Sequence, residues 1–251
     1  MRKSQIGALS QAYRAGRSGV EQPEVASPEN RTGEWTVTTT INARAILFDM
    51  DGTIVDSTAI VERVWGRFAD TYGVSLSTIL GDSHGIKAID TIRKYGPTGI
   101  DAEVAAADLA AFEIGEIDGI VEIPGAAVFA NSLRPEQIAL VTSAPRELAI
   151  LRLDLCAITV PRVIVAAEDV EHGKPHPEPY LNAARLLGLK PADCIVFEDA
   201  AAGIRSGIAA GMRVVVVGEL DDPVTDGLPR IPDYSAATVD QTADGLRIVL
   251  G

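Results

Sequence analysis

From residue 43 onward, the chain alternates short runs of branched aliphatic residues with longer segments of helical character. The predicted strands are 45–48, 138–141, 163–166, 195–197 and 214–217, and helices are predicted near 145–154, 177–188 and 200–210. Short strands rich in Val and Ile that alternate with helices are typical of a parallel sheet covered on both faces. We therefore predict an α/β fold built on a doubly wound parallel sheet.

A helical block interrupts this pattern after the first predicted strand. Its first helix is indicated by apolar residues at helical spacing, namely Val61, Val64, Trp65, Phe68, Ala69 and Tyr72. Gly73 follows them and is a residue that commonly ends helices, and segments 85–95 and 101–118 are helical in pattern too. The predicted organisation is a helical insert at 57–124 within an α/β core of 43–56 and 125–251.

Residues 1–42 lack this patterning and are rich in Ser, Gly, Gln, Glu, Pro, Arg and Thr. Their one helical signal, Ile6, Leu9 and Tyr13, is shorter than the roughly 12–15 residues that an isolated helix needs in water. They also lack the apolar stretch of a secretory signal. We expect this segment to be a mobile tail.

Composition narrows the range of partners. The chain carries 22 basic and 35 acidic side chains, a net charge of −13, so we expect no electrostatic binding to nucleic acid or to an anionic membrane. The sequence has no run of about 18 apolar residues that would span a bilayer. Cys156 and Cys194 are too few for a disulfide framework and favour a reducing, cytoplasmic setting. We expect a monomer or a small homo-oligomer.

Two carboxylates follow the first predicted strand of the core. Asp49 and Asp51 are two residues apart, so in an extended chain their side chains point to the same side. Carboxylates in contact repel unless a cation lies between them, and Mg²⁺ accepts hard oxygen ligands of this kind. Gly52 allows a sharp turn after them, and Thr53 is able to cap the segment that follows. The pair predicts a magnesium site at the end of this strand.

The other strand ends carry residues that complement a phosphate group. Thr142 and Ser143 end the second strand with hydroxyl and backbone donors, and Lys174 supplies a positive charge in the Gly- and Pro-rich loop after the third. Glu198 and Asp199 end the fourth strand as further hard ligands. Ligands of doubly wound sheets bind at the carboxyl ends of the strands. The set favours attack of a carboxylate on phosphorus while Mg²⁺ and Lys174 neutralise the phosphoryl oxygens.

These residues resemble the motifs of the haloacid dehalogenase superfamily over about residues 44–220. The matching segments occur in order with the family's spacing: Asp49-Met50-Asp51-Gly52-Thr53, Thr142, Lys174 in Gly-Lys-Pro-His-Pro, and Glu198-Asp199. The resemblance implies that Asp49 is the nucleophile and forms an aspartyl-phosphate, and that Asp51 protonates the leaving alcohol and then deprotonates water. It implies that Mg²⁺ is held by Asp49, the backbone carbonyl of Asp51 and Asp199, with Glu198 near. The true dehalogenases of the family lack an acid at the position of Asp51, because a halide leaving group needs no proton. The acid here therefore favours phosphate esters as substrates.

The insert at 57–124 resembles the helical cap of the group that contains β-phosphoglucomutase and small sugar and polyol phosphatases. In that group the cap closes over the substrate, excludes water and sets specificity. The segment 81–87 resembles the specificity loop of that cap, which makes Ser83, His84 and Lys87 candidates for contact with the non-reacting end of the substrate. The same three residues are equally typical of an ordinary solvated loop.

The resemblance thus implies a Mg²⁺-dependent phosphatase whose partner is a small phosphorylated sugar or polyol. Mutases of the group keep a histidine twelve positions after the nucleophile, and here that position is Val61. This departure favours hydrolysis over the alternative enzyme, a hexose-phosphate mutase. A non-catalytic phosphosugar-binding module is the remaining alternative. The sequence argues against it, because all four motif residues are intact: Asp49, Asp51, Lys174 and Asp199.

Three further patterns are compatible with other chemistry. Cys156 and Arg162 have the Cys-x5-Arg spacing of cysteine phosphatases, but no Gly between them allows backbone amides to turn onto a phosphate. The segment 81–85 has the Gly-x-Ser-x-Gly pattern of hydrolases without the strand that a nucleophile elbow needs. His172 and His176 have the spacing of helical metal ligands, but the prolines beside them disfavour a helix, so a structural loop is the preferred interpretation.

Overall fold

A six-stranded sheet lies at the centre of residues 38–251, the part of the chain that this computed structural model describes. The strands within those residues are β1 (Thr39–Ala43), β2 (Ala45–Phe48), β3 (Val55–Asp56), β4 (Val121–Glu122), β5 (Ile138–Val141), β6 (Val163–Val165), β7 (Cys194–Glu198), β8 (Arg213–Val217), β9 (Arg230–Ile231), β10 (Thr238–Gln241) and β11 (Leu246–Leu250). The helices are α1 (Thr58–Tyr72), α2 (Leu76–Ser83), α3 (Ala88–Tyr95), α4 (Ala102–Gly115), α5 (Ala126–Asn131), α6 (Arg146–Leu155), α7 (Glu178–Leu187) and α8 (Ala201–Ala209).

The central sheet has the strand order β6-β5-β2-β7-β8-β9, and every neighbouring pair is parallel. The predicted doubly wound α/β fold is therefore confirmed. From β2 the chain moves outward to β5 and β6, and then returns to β7 on the other side of β2. Such a reversal opens a crevice at the carboxyl ends of the central strands, which is where this class of sheet binds its ligands.

The two faces of the sheet carry separate apolar clusters, because successive residues of a strand point to opposite sides. Phe48 lies on the face covered by α5 and α6, and Leu47 lies on the face covered by α7 and α8. Four rings on the first face contact one another with centroids 5.2–6.2 Å apart: Phe48, Phe129, Phe197 and Tyr234. Burial on both faces holds the central strands, and with them the residues at their ends, in one position.

A second sheet joins the two ends of the described chain. Its strands have the order β1-β11-β10 and pair antiparallel, with Ile41 opposite Ile248. This sheet corrects the predicted tail of 1–42, since residues 39–42 belong to β1; residues 1–37 lie outside the described residues. The strand was missed because its partner lies about two hundred residues later, and Ile41 is buried in the same apolar cluster as Ile248 of that partner.

The helices α1 to α4 form the insert between β3 and β4, which pair antiparallel where the chain leaves and re-enters the core. They share an apolar cluster made of Ile60, Val64, Trp65, Phe68, Ile79, Ile92, Ala105 and Leu109. The predicted stripe of α1 is correct at its centre, but Ile60 is buried in place of the more exposed Val61 and Tyr72. All four helices lie within 57–124, and the interpretation of that span as a separate cap domain stays a prediction.

Helix α1 ends as predicted. Its C-cap, Gly73, has φ +66°, the left-handed conformation that favours glycine, and its N–H donates to the Ala69 carbonyl. Helix α2 was not predicted, because its sequence, LSTILGDS, contains few strong helix formers. Ser75 caps it through a side-chain bond from the Thr78 amide. Among residues 38–251, no helix combines the length and the apolar character needed to cross a bilayer.

Helix α8 lies unusually close to the sheet because it carries glycine at the contact positions. A Cβ built on Gly203 would lie 1.4 Å from Glu198 Oε1, and one on Gly207 would lie 3.0 Å from a methyl carbon of Val214. Side chains at these positions would push α8 away from β7 and β8. Glycine at 203 and 207 therefore allows α8 to pack closely on the sheet.

We predict opposite effects of two Gly→Ala substitutions in helix interiors. Gly203→Ala should lower the free energy of unfolding by about 1–3 kcal/mol or more, because Glu198 must move to accommodate the methyl group. Gly66→Ala in α1 is the matched control; its nearest neighbour, a Leu76 methyl, lies 3.9 Å away, so stability should rise by up to about 1 kcal/mol. Denaturant unfolding measures both. Equal stability of the two variants would contradict the described packing.

Candidate active site

Four strand ends bring their polar side chains to one place at the carboxyl edge of the sheet. Asp49 follows β2, Thr142 follows β5, Lys174 lies in the loop after β6, and Glu198 ends β7 before Asp199. The first four of these residues are at least nine-tenths buried, and Asp199 is partly buried. Charged groups of this kind are withdrawn from water only when they are paired or bind an ion.

Lys174 is the cation around which the carboxylates gather. Its Nζ donates to Asp49 Oδ1 and, at 2.7 Å, to Glu198 Oε1, and all three side chains are 5% exposed or less. Burial alone would lower the pKa of Lys174, but Asp49 and Glu198 outweigh it and raise that pKa above its ordinary value. The lysine is therefore charged at every physiological pH.

Glu198 is held by protein donors on both of its oxygens. Oε1 accepts from the Tyr180 hydroxyl at 3.1 Å as well as from Lys174, and Oε2 accepts from the Ala200 amide at 2.9 Å. These bonds fix Glu198 in a position from which it holds Lys174 beside Asp49. Its predicted place among the metal ligands stays a prediction.

The carboxylates fit a hard divalent cation. One oxygen each of Asp49, Glu198 and Asp199 lies within 4.8 Å of the others, which is an oxygen donor set of the kind that Mg²⁺ accepts. Burial, and then the neighbouring carboxylates, raise the pKa of Asp199 well above its ordinary value; burial raises that of Asp49 to about 7 although Lys174 opposes it. Only one lysine contacts this group of three carboxylates, and a cation held by Asp49 and Asp199 would favour their ionised forms.

Two residues of the first motif shape this cation site. The Thr53 hydroxyl donates to Asp199 Oδ1 at 2.8 Å, so Thr53 orients a candidate ligand instead of capping a helix. Gly52 has φ +84°, and a Cβ there would lie 2.1 Å from Asp199 Oδ2. The turn therefore requires glycine both for its backbone conformation and for the room that Asp199 needs.

Asp51 lies beside Asp49 but is bonded to a different set of residues. Its Oδ1 accepts from the Ser57 hydroxyl at 2.7 Å and from Arg152 Nη1 at 2.8 Å. Arg152 also donates from Nη2 to Glu113 of α4 at 3.0 Å, and its side chain is 2% exposed. Burial raises the pKa of Glu113, and the charge of Arg152 opposes that shift.

Arg152 and Glu113 are functional-site candidates that the sequence reasoning missed. The buried positions of α6 are Leu148, Ala149, Arg152 and Leu153, so an arginine stands in the apolar stripe of a core helix. That irregularity is visible in the sequence and points to a buried ion pair. The partner on α4 is not visible there, because it lies 39 residues away in the insert.

The predicted phosphate-binding hydroxyls lie at the site, and each has a protein partner. Thr142 Oγ1 accepts from the Ala144 amide at 3.0 Å, which leaves its O–H available as a donor. The Ser143 hydroxyl donates to the Gly85 carbonyl of the insert at 2.7 Å. Ser143 therefore joins the core to the insert through its side chain, a contact that the sequence reasoning did not foresee.

A cavity of about 110 Å³ lies between the insert and the carboxyl edge of the sheet. The lining includes Asp49, Asp51, Thr142, Arg152, Val61, Ser83 and His84. Ser83 is 7% exposed, and its Oγ has no hydrogen-bond partner within the part of the chain that the structure describes. His84 also lines a larger cavity of about 710 Å³ beside Asp199. Of the predicted specificity residues, Ser83 and His84 thus face the site.

Lys87 does not face the site, which corrects its predicted role in substrate contact. Its side chain is buried, and Nζ donates to the carbonyls of Val170 at 3.1 Å and Glu171 at 3.3 Å. Because these carbonyls belong to the loop that carries Lys174, Lys87 binds the insert to that loop. The sequence showed a lysine in the right segment but could not show which way it points.

Neither alternative nucleophile has the surroundings that its chemistry needs. Cys156 is buried at the end of α6, and burial, followed by the charges of Glu122 and Asp51, raises the pKa of its thiol to about 11, so the thiolate is scarce near neutral pH. Ser83 is the last residue of helix α2, where a nucleophile elbow would need a strand before it.

The rings of the two histidines beside Lys174 lie next to each other in the loop. The ring centroids of His172 and His176 are 4.8 Å apart, and both rings lie beside Glu178. The Glu178 carboxylate accepts the backbone amides of Glu171 and His172 at 2.9 Å. These bonds support the interpretation as a structural loop, which holds the segment around Lys174 in shape.

A model of haloacid dehalogenase-like hydrolases matches residues 43–211 of this chain. The chain belongs to the haloacid dehalogenase-like hydrolases. The predicted family is therefore confirmed, and the match covers the segments that carry Asp49, Thr142, Lys174 and Asp199. The match begins at the end of β1 and ends just before β8.

Individual relatives of this hydrolase agree with the family. Hexitol phosphatase A of Escherichia coli (strain K12) is 40% identical over 181 residues, which cover 70% of this chain and 84% of the relative. Glycerol-1-phosphate phosphohydrolase 1 of Saccharomyces cerevisiae is 35% identical over 195 residues, which cover 72% of this chain and 77% of the relative. The crystal structure of β-phosphoglucomutase from Clostridium difficile matches with a TM-score of 0.66 and 25% identity. The match covers 76% of this chain and 91% of that structure. The predicted enzyme class, a phosphoric monoester hydrolase, is confirmed at the level of this family.

We predict that Mg²⁺ stabilises this hydrolase more as the pH rises. The folded-state pKa of Asp49 is raised from 3.8 to about 7. Between these two pH values the folded state still binds a proton that the unfolded state has lost. The metal-free fold therefore loses stability as the pH rises through this range. A bound cation favours the ionised carboxylate instead. Saturating Mg²⁺ should therefore raise Tm by about 5–10 °C near pH ~8 and by less than about 2 °C near pH ~5.

Differential scanning calorimetry with and without Mg²⁺ measures this effect. Asp199→Asn should remove most of the Mg²⁺-dependent shift at both pH values, because it removes one of the candidate ligands. Asp240→Asn, at an exposed position of β10, is the control and should keep the full shift. A Mg²⁺ effect of equal size at both pH values would contradict competition between protons and the cation.

Proposed function

We propose that this chain is a Mg²⁺-dependent phosphatase that hydrolyses a small phosphorylated sugar or polyol through an aspartyl-phosphate on Asp49. The observation that supports it most is the burial of Asp49 against Lys174, with Asp199 within reach of the same cation and Thr142 beside them. The relatives named hexitol phosphatase and glycerol-1-phosphate phosphohydrolase support the same class of substrate.

In the proposed reaction, an oxygen of Asp49 attacks phosphorus, and the bond between phosphorus and the substrate oxygen breaks. Asp51 gives its proton to that oxygen, so the product leaves as a neutral alcohol. Asp51 then takes a proton from a water molecule whose oxygen attacks phosphorus, which releases phosphate and restores both carboxylates to their starting forms.

Lys174 and Thr142 contribute charge and hydrogen bonds at the phosphoryl group. Lys174 carries a permanent positive charge beside the attacking oxygen, and the Thr142 hydroxyl is free to donate because its oxygen accepts from Ala144. Mg²⁺ held by Asp49, the Asp51 carbonyl and Asp199 would supply further positive charge for the phosphoryl oxygens. Electrostatic stabilisation of this kind acts most strongly in a site that excludes water.

The insert supports a phosphatase over a mutase and serves as the proposed cap. Val61, at the position where the mutases of the group have a histidine, lines the cavity beside Asp49 and offers no group for proton transfer to a sugar hydroxyl. The 110 Å³ cavity under the insert suits a small substrate. The two buried free cysteines are compatible with the expected cytoplasmic setting.

We predict that Asp49→Asn lowers turnover by about 10⁴-fold or more, because the amide cannot form the acyl-phosphate. Phosphate release is measured over a panel of sugar, polyol and nucleoside monophosphates, with Mg²⁺ and with EDTA. The wild type should release stoichiometric phosphate from polyol phosphates, and EDTA should silence it. Asp240→Asn should keep full activity.

Two results would contradict the proposed function. Activity that persists in Asp49→Asn, with its thermal unfolding unchanged, would exclude Asp49 as the nucleophile. Conversion of a sugar 1-phosphate plus catalytic bisphosphate into a 6-phosphate, without free phosphate, would establish the mutase instead.

We predict that Ser83→Ala separates substrate binding from stability. Because the buried Ser83 hydroxyl has no partner among the described residues and lines the cavity, its removal should leave Tm unchanged or slightly higher. It should raise KM for a polyol phosphate by about 5–10-fold, with little change in kcat, if the hydroxyl bonds the substrate. Ser77→Ala, at an exposed position of α2, is the control. An unchanged KM would remove Ser83 from the specificity residues.

A further inference from the structure

Arg152 connects the insert to the carboxylate that the proposed reaction uses for proton transfer. Its two terminal nitrogens bond different carboxylates: Nη1 donates to Asp51 at 2.8 Å, and Nη2 donates to Glu113 at 3.0 Å. Asp51 belongs to the core, whereas Glu113 lies on α4 of the insert. One buried cation thus bridges the two parts of the molecule at the acid side of the site.

We propose that Arg152 is a positioning residue that orients Asp51 for proton transfer, and that Glu113 completes this arrangement only while the insert is seated on the core. The proposal rests on the proposed phosphatase function, because it assigns a structural partner to the acid and base of that reaction.

The hydrogen bonds at Asp51 select one of its oxygens. The bonds from Arg152 and from the Ser57 hydroxyl both end on Oδ1, so Oδ2 is the oxygen available to a substrate in the cavity. A guanidinium group is planar, permanently charged and directional, so with Nη2 held by Glu113 the direction in which Nη1 meets Asp51 is more closely defined than it would be for a lysine ammonium. The arrangement presents Oδ2 to the leaving oxygen.

Glu113 fixes the other side of the guanidinium group. Arg152 is 2% exposed, and a charge so far removed from water requires partners on more than one nitrogen. If the insert moves away from the core, α4 takes Glu113 with it. Arg152 then has Asp51 as its remaining carboxylate, and the far side of its guanidinium group is no longer fixed. The orientation of Asp51 is therefore coupled to closure of the insert, so proton transfer is favoured when water is excluded.

Two other roles are compatible with the same contacts. Arg152 would be a purely structural residue if the pair with Glu113 only held the insert in place. It would be a substrate-binding residue if its Nε, which has no partner within residues 38–251, bonded the substrate in the cavity that Arg152 lines. A structural role predicts equal loss on all substrates, and a binding role predicts a higher KM with unchanged kcat.

The test compares two leaving groups. The leaving group of glycerol 3-phosphate is a glycerol alkoxide, which needs a proton from Asp51. The leaving group of p-nitrophenyl phosphate is a stabilised phenolate, which does not. The measured quantity is kcat/KM, which covers the steps up to transfer of the phosphoryl group to Asp49. General acid catalysis contributes typically 10²–10⁴-fold, so loss of orientation should appear on the first substrate alone.

Arg152→Met should lower kcat/KM for glycerol 3-phosphate by about 10²-fold, mainly through kcat, and change it for p-nitrophenyl phosphate by less than about 5-fold. Arg152→Lys should restore part of the loss, since it keeps one charged donor. Glu113→Gln keeps a hydrogen-bond acceptor and the volume of the side chain, and should show the same selective loss at about 5–10-fold. Asp51→Asn is the reference for complete loss of the acid.

Arg146→Met is the matched control, because Arg146 lies on the same helix and pairs with Asp169 outside the cavity; both substrates should react as in the wild type. Equal losses on the two substrates, or a change confined to KM, would overturn the proposal. If Arg152→Met fails to fold, Glu113→Gln and Arg152→Lys carry the same comparison. Failure of the proposed function itself is distinct, since the wild type and Arg146→Met would then release no phosphate from either substrate.

Discussion

The burial of three carboxylates beside a single lysine is the constraint on which the rest of the site depends. Asp49, Glu198 and Asp199 converge at the edge of the sheet, and Lys174 offsets only part of their charge. Burial, and then repulsion between the carboxylates, raise the pKa of Asp49 and Asp199, and a cation would favour their ionised forms there. Close approach of the surrounding backbone is possible because Gly52 and Gly203 leave the space that these carboxylates occupy.

The insert contacts the core at the segments that carry the other candidate site residues. Lys87 bonds the loop that holds Lys174, and the Gly85 carbonyl accepts from Ser143, next to Thr142. Arg152 joins Glu113 to Asp51 in the same way. Each of these contacts links a residue of the insert to a different strand end. The position of the insert is thereby coupled to Lys174, to the proposed phosphate-binding Thr142 and to the proposed acid Asp51, which is compatible with the proposed cap.

Sequence reasoning succeeded where one residue type in a local pattern limits the possible roles. The strand 45–48 followed by Asp49 and Asp51 was recognisable because apolar and acidic residues change over at a single point. It failed where a side chain's direction decides its role. Lys87 was assigned to the substrate, yet its side chain bonds backbone carbonyls of the core. The Ser143 hydroxyl bonds the Gly85 carbonyl, and its contact with phosphate stays a prediction. Strand β1 was missed because its pairing with β11 spans most of the chain.

The amino-acid sequence by itself determined the α/β class, the order of the strands along the chain and the residues at their carboxyl ends, because hydrophobic periodicity and strand-end chemistry are local properties. Only the tertiary structure decided which polar groups share one buried space. The energies of burial, ion pairing and hydrogen bonding depend on distances between residues far apart in the chain, as for Arg152 and Asp51, 101 positions apart. No local pattern encodes those distances.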